Sequence, residues 1–237
     1  NVLGETLNLQ YIKEIIRKEK REIFFHIDAA QSALFKEIDV KKFDCDFLSF
    51  SAHKLGGPNG VGILYIKKGL EKKLEPLMYG GGSNKSIKKD LDYELYSSFQ
   101  KFESGTLNIE GILGLNKIID YINNLGKENI LNKAREIRNY TLEKMKKLDN
   151  IVIYNAHIDA TIIVFNIKGV FAQDAASLLN KYNICLRAGQ HCARLLVDVL
   201  NTHATLRASF SYYNSKEEVD KFISVLEKGD DFLEAFF

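Results

Sequence analysis

Ser51-Ala52-His53-Lys54-Leu55-Gly56-Gly57-Pro58 is the stretch that decides the fold. Before it runs Phe47-Leu48-Ser49-Phe50, apolar and of strand length. After it come Asn59 and Gly60, then a second strand-like run, Val61-Gly62-Ile63-Leu64-Tyr65-Ile66. The glycines and the proline between the two runs mark a turn. Lys54 therefore stands at the end of a strand, on a loop, with a serine and a histidine beside it. Open α/β sheets hold their ligands at that place. A lone lysine is more often a solvated surface charge, so its meaning depends on what lies upstream.

Upstream is Ile23-Phe24-Phe25-His26-Ile27-Asp28-Ala29-Ala30-Gln31, a buried strand that ends in a carboxylate, two small residues and an amide. Asp28 has a plain role open to it, capping a helix that follows. A carboxylate at one strand end and a lysine at the next also suit one cofactor, pyridoxal phosphate (PLP). PLP takes a lysine for its Schiff base and an acid to keep its pyridine nitrogen protonated. Its phosphate wants hydroxyl, imidazole or backbone donors, which Ser51 and His53 can supply.

Asp28-Ala29-Ala30-Gln31, Ser51-Ala52-His53-Lys54 and Gly57-Pro58-Asn59-Gly60-Val61-Gly62 together resemble the core of the class V, fold-type I PLP enzymes. Phe102-Glu103-Ser104-Gly105-Thr106-Leu107-Asn108 and Arg187-Ala188-Gly189-Gln190-His191-Cys192 narrow the resemblance to cysteine desulfurases of the SufS type. The motifs run through the chain in the family's order. Gln190 stands where many SufS-type members carry a histidine.

The resemblance implies an α/β fold: residues 1–125 as the C-terminal part of a PLP-binding large domain with a mainly parallel sheet, and residues 126–237 as a small α+β domain carrying the catalytic cysteine. It implies that L-cysteine becomes L-alanine while Cys192 receives the sulfur as a persulfide. That sulfur then passes to a SufE- or SufU-like acceptor for iron–sulfur cluster assembly. Lys54 would hold PLP and act as the base at Cα; both tasks need a neutral amine, which burial and a neighbouring pyridinium favour. Asp28 would face the pyridine nitrogen and Gln31 the phenolic oxygen, unless Gln31 is only a polar residue on a following helix. Ser51 and His53 would hold the phosphate, and Thr106 the phosphate of a partner subunit in a homodimer. Asn1 matches an asparagine near cofactor and substrate. Arg207, in Leu206-Arg207-Ala208-Ser209, matches the arginine that clamps the substrate carboxylate, with Arg187 as a second cation there. A guanidinium suits a carboxylate because it can bond both oxygens at once.

Cys192 has two other readings, a small loop residue or part of a metal site with Cys185 and His191. The metal set lacks a fourth ligand at standard spacing, and no metal is expected. A thiolate attacks sulfur better than a thiol, and His191, Arg187 and Arg194 are cationic neighbours in sequence. The alternatives to desulfuration are a selenocysteine lyase, a class V aminotransferase and a non-catalytic fragment. In the resembling family the Asn-x-x-Gly motif seen here at Asn1–Gly4 lies inside the large domain. The chain is thus expected to be a piece of a longer protein, or to work with a separate chain that carries the N-terminal part.

Composition is that of an ordinary soluble chain. The chain has 237 residues, 46% of them hydrophobic, and a net charge of +2, enough to bury a core in one or two domains. That balance gives no electrostatic case for nucleic acid or an anionic membrane. No apolar run reaches membrane-span length and no signal peptide is visible. Three cysteines, Cys45, Cys185 and Cys192, do not make a disulfide framework, which points to a reducing compartment, cytoplasm or an organelle (plastid-type) stroma. Cys45, beside an apolar run, reads as a small core residue.

Periodicity fills in the rest. Leu9 to Arg21, with Ile12, Ile15 and Ile16, predicts an amphipathic helix, and the β-α-β alternation that follows predicts parallel strands. Gly69 to Leu77 reads as a charged surface helix. Gly80-Gly81-Gly82 lacks the lysine and Ser/Thr of a P-loop and reads as a turn. Lys85 to Tyr96 reads as a loop or short helix. Ile109 to Asn123 and Ile130 to Leu148 predict long helices, with the domain change near Gly126. Strands are expected at Ile151 to Tyr154, Thr161 to Ile167, Ile184 to Arg187 and Leu206 to Phe210, and a helix at Gln173 to Tyr182. A last helix follows the Ser215/Glu218 capping box. Asp230 to Phe237 is acidic and then aromatic, and either packs on a neighbour or is disordered.

Overall fold

A computed structural model describes residues 1–90 and 92–228, and the chain divides into two units: Asn8–Lys127, and Asn1–Leu7 together with the residues from Glu128 onward. The tail reading at Asp230 to Phe237 falls outside the described residues.

In the unit of residues 8–127, helix α1 (Leu9–Lys18) starts at Asn8, whose side chain accepts from the Tyr11 N–H. Its Leu9, Ile12 and Ile16 pack on a core of Phe25, Ile27, Ala29, Cys45 and Leu48, whereas Ile15 is exposed. Strand β1 (His26–Asp28) pairs in parallel with β2 (Phe47–Ser51), the crossover running through the short helix α2 (Val40–Phe43). Strand β3 (Gly62–Ile66) returns antiparallel to β2, so the sheet here is mixed. The cause is the link: residues 52–61 hold one turn of 3₁₀ helix, Ala52–Leu55, and a glycine turn, shorter than a parallel crossover needs.

Three stretches of this unit differ from expectation. Gly69 to Leu77 forms only a 3₁₀ turn, Leu70–Lys73. Residues 30–35 form turns instead of a regular helix after Asp28, and Gln31 sits exposed among them. The Lys85 to Tyr96 region contains a hairpin, β4 (Asn84–Ile87) with β5 (Tyr93–Leu95). Its cross-strand ion pairs, Lys85–Glu94 and Lys88–Asp92, each at 2.7 Å, replace the apolar alternation that would have announced strands. Helix α3 (Ile109–Leu125) closes the unit. It carries Gly111 and Gly114 inside its first two turns because the Lys54 loop presses on them. A Cβ at Gly111 would lie 2.4 Å from Val61 Cγ2, and one at Gly114 2.8 Å from Pro58 Cγ.

In the second unit, α4 (Lys127–Met145) leads to strands β6 (Ile151–Ile153) and β7 (Ile162–Ile167), then α5 (Ala172–Lys181). Strand β8 (Arg187–Gly189), the short α6 (Arg194–Val199), β9 (Thr205–Ser209) and α7 (Lys216–Leu226) follow. The sheet has order β6-β7-β9-β8, with every pair antiparallel. Strand β8 begins where the strand expected from the sequence ends, at Arg187, and α6 lies where the sequence predicts no helix. Ile137 and Met145 of α4, Leu179 of α5, Phe222 and Leu226 of α7 bury themselves on Ile163, Phe165, Leu206 and Ala208 of the sheet. The Ser215–Glu218 capping box forms as read, Ser215 Oγ accepting from the Glu218 N–H and Glu218 accepting from the Ser215 N–H.

Residues 1–7 belong to this second unit rather than to the PLP-binding part in which residues 1–125 were expected. The physical reason is a set of long-range contacts. The Leu3 carbonyl accepts from the buried Asn155 side chain, and Val2 is buried. Among the described residues no helix is long and apolar enough to cross a membrane.

Candidate active site

Two groups of the sequence-derived residues assemble, one in each unit. In the first, Asp28 ends β1 and Ser51 ends β2. Because these strands are parallel neighbours, with Asp28 opposite Ser49, their carboxyl ends open on one edge. The Ala29 N–H donates to the Ser49 carbonyl at 2.8 Å, carrying the pairing past Asp28. Asp28 Oδ1 accepts from the Ala30 N–H at 2.9 Å, which fixes the carboxylate at the strand end. His53 and Lys54 lie on the 3₁₀ turn that Ser51 precedes, and Gly56 ends that turn at φ +89°, a conformation that glycine adopts without strain.

Lys54, His53, Asp28 and Gln31 are exposed and Ser51 is half-buried. The burial expected around the Lys54 amine is thus not provided by the residues of this unit. Thr106 is exposed on a turn held by the Gly105 N–H donating to the Gly81 carbonyl at 2.7 Å. His26 was not singled out in the sequence, yet its Nε2 lies 3.0 Å from Ser49 Oγ on the same pair of strands. One edge thus offers a primary amine, a carboxylate, an amide, a hydroxyl and an imidazole. That donor chemistry fits PLP: an amine for the aldehyde carbon, an anion for the pyridinium and neutral donors for the phosphate.

The second group gathers Asn1, Arg187, His191, Cys192 and Arg207. Arg187 and Arg207 are direct cross-strand partners on β8 and β9. Arg207 alternates with the core residues Leu206 and Ala208, so it faces away from the helix-covered side. Its Nη1 donates to the Asn1 carbonyl at 2.7 Å, while its Nε is buried without a partner among the described residues. Burial first, and Arg187 second, lower the affinity of Arg207 for its proton. Arg187 Nη2 lies 3.5 Å from the exposed Cys192 Sγ.

Cys192 is placed by its predecessor. His191 is 3% exposed, and its Nε2 lies 3.1 Å from the Thr205 carbonyl and 2.9 Å from Thr205 Oγ1. A carbonyl only accepts, so Nε2 carries the proton and Nδ1 the lone pair. Burial, then the Arg207 and Arg187 charges, push the imidazole down to about 4, against a smaller opposing effect of the Thr205 carbonyl. His191 is therefore a neutral anchor at physiological pH rather than a cation beside the thiol. His191 and Cys192 both sit at positive φ, 52° and 61°. Such strain costs about 1–2 kcal/mol per residue and persists because the Thr205 contacts and the Asn1 Nδ2 bond to the His191 carbonyl, 2.6 Å, hold the turn.

Sequence reading missed Thr205 and the fully buried Asn155; neither carries a motif, and only their partners reveal them. Among the described residues no three His, Cys, Asp or Glu side chains gather to hold a metal, and Cys185 Sγ contacts Asn180 Oδ1 at 3.7 Å.

Residues 1–222 match the family model described as aminotransferase class-V. A cysteine desulfurase of Wigglesworthia glossinidia brevipalpis is 40% identical over all of this chain and 57% of its own length. A probable cysteine desulfurase of Ureaplasma parvum is 38% identical over 98% of this chain and 58% of its own. Among solved structures, the apo cysteine desulfurase of Thermococcus onnurineus NA1 superposes with TM-score 0.89 at 36% identity, over 96% of this chain and 57% of that one. The Escherichia coli cysteine desulfurase CsdA, in an S-sulfonic acid form, gives TM-score 0.89 at 30% identity, over 97% and 57%. The chain spans a little over half the length of the curated relatives it matches.

Proposed function

The chain belongs to the aminotransferase class-V family, and on that premise we propose that it forms the Lys54- and Cys192-bearing part of a PLP-dependent cysteine desulfurase. The reaction is L-cysteine plus the Cys192 thiol giving L-alanine plus a Cys192 persulfide, with atoms balanced on both sides. The observation that carries the reading is the Arg187–Arg207 pair next to Cys192. Like charges in direct cross-strand register repel. A bound carboxylate would relieve that repulsion and leave the substrate sulfur beside the thiol.

Asp28, Gln31, Ser51, His53, Lys54 and Asn1, with Thr106 of a second subunit, would hold PLP, which supplies an electron sink for the carbanion formed at Cα. Arg207 binds and orients the substrate carboxylate. Lys54 Nζ takes the proton from Cα and returns one to the product. Cys192 Sγ attacks the substrate sulfur, with the Arg187 guanidinium as the donor at the reacting thiol. The S–S bond forms as the substrate Cβ–S bond breaks, and the electron pair of that bond passes to the carbon that is then protonated to give alanine. The protein is of the SufS type, works as a homodimer, and hands the persulfide sulfur to a SufE- or SufU-like acceptor for iron–sulfur cluster assembly. The whole-chain likeness to enzymes named cysteine desulfurases supports this reading.

The test is Cys192→Ala in the assembled holoenzyme, following alanine release, protein persulfide and the cofactor's visible absorbance. Loss of alanine and persulfide with the absorbance retained is the expected result. Undiminished turnover of L-cysteine would overturn the assignment in favour of a selenocysteine lyase or an aminotransferase.

A further inference from the structure

The second unit contains a polar pin that the proposed chemistry does not use. Asn155 is 0% exposed. It follows β6 at the point where backbone pairing with β7 ends, the last such bond running from the Tyr154 N–H to the Val164 carbonyl at 2.8 Å. From there its side chain takes over. Oδ1 accepts from the Val164 N–H at 2.9 Å, and Nδ2 donates to the Ile162 carbonyl at 3.0 Å and to the Leu3 carbonyl at 2.9 Å. The Asn155 carbonyl accepts in turn from the buried Arg138, at 2.9 Å. Both donors of the amide are thus committed, one to the sheet and one to residues 1–7.

Those residues are held at two further points. Val2 is buried. Gly4 sits at φ +86°, and a Cβ there would come within 2.4 Å of Ala160 Cβ, so only glycine passes this point. At Asn1 the segment touches two other members of the second group. Asn1 Nδ2 donates to the carbonyl of His191, the residue before Cys192, and the Asn1 carbonyl accepts from Arg207.

We propose that residues 1–7 are a strap locking Arg207 and the His191–Cys192 turn in one fixed relation, and that Asn155 is the positioning residue that pins it. The functional part rests on the reading of Arg207 as the carboxylate clamp. Replacing Asn155 leaves the half-buried Leu3 carbonyl without its donor, which favours release of the segment. The strap then detaches, and Arg207 loses the carbonyl that holds its guanidinium.

Two variants test this. Asn155→Asp keeps the acceptor for Val164 and removes both donors. Gly4→Ala displaces the strap by collision with Ala160 and leaves Asn155 intact. Hydrogen exchange of the segments 2–7 and 187–193 is measured in each, with α7 as the reference. The expected result is faster exchange in both segments, by about tenfold, with α7 unchanged. In the holoenzyme the KM for L-cysteine rises about tenfold, and kcat falls as well because the Cys192 turn is released with Arg207. If Asn155→Asp does not fold, Gly4→Ala decides. Release of 2–7 with 187–193 still protected would overturn the strap. Release of both segments with KM unchanged would leave the strap standing and overturn the carboxylate role of Arg207.

Discussion

Arg187 and Arg207 face each other across β8 and β9 with no carboxylate of the described residues between them. One reaches the Cys192 sulfur and the other the Asn1 carbonyl. A protein that needed only a stable sheet would not oppose two cations there. The arrangement makes sense as an anion site whose occupant comes from outside.

Arg207→Lys keeps a positive charge but loses the planar fork that can bond two oxygens. We expect the KM for L-cysteine to rise about tenfold or more, with little change in urea stability. Steady-state kinetics beside equilibrium unfolding checks this, and an unchanged KM would count against the clamp.

His191 links acid pH to stability. Its folded-state value near 4 lies below the unfolded value near 6.5, so the unfolded chain binds more protons between these limits. Stability is fully present above about pH 6.5 and falls as the pH drops toward 4, by on the order of 3 kcal/mol in total. Urea midpoints from pH 7.5 to 4 should show that slope, and His191→Gln should flatten it. An equal slope in the variant would show that another group is responsible.

Gly111→Ala sets helix propensity against packing. Alanine gains about 1 kcal/mol in a helix interior, but its Cβ would meet Val61 Cγ2 at 2.4 Å and the Asn108 amide at 2.6 Å. That amide side chain also caps α3 by accepting from the Gly111 N–H at 3.0 Å. We expect a net loss of about 1–3 kcal/mol and weaker PLP binding through displacement of the Lys54 loop. A higher melting temperature would show that the loop yields freely.

Ser215→Ala removes the capping box of α7 and should cost about 1 kcal/mol. The KM for L-cysteine should stay unchanged, because the box caps α7 on the sheet's helix-covered side, away from the face that carries Arg207. Chemical denaturation and kinetics on one preparation separate the two effects.

The contrast between Ser215 and His191 shows what could be read in advance. The capping box lies within four residues, so its donors and acceptors are fixed by local geometry, and α1, α3, α4 and α7 were legible by the same logic of spacing. So were β1 and β2, apolar runs ending in Asp28 and in the Lys54 loop. The β4–β5 hairpin was not legible, because its strands carry exposed charged residues in place of an apolar alternation. The neutral state of His191 was not legible either. In the sequence it is a histidine beside a cysteine, and only its burial against Thr205 and two guanidiniums decides its charge.

The sequence by itself determined the long helices α1, α3, α4 and α7, the strands β1 and β2, the turn that presents Lys54, and the set of chemical groups, since each depends on neighbours a few residues apart. Tertiary structure alone decided that residues 1–7 join the Cys192 unit and that Arg187 opposes Arg207. Asn1 and Arg207 lie 206 positions apart in the chain. Bonds of that span are set by strand register and by which distant segment brings a carbonyl to the donor, and no local pattern encodes either.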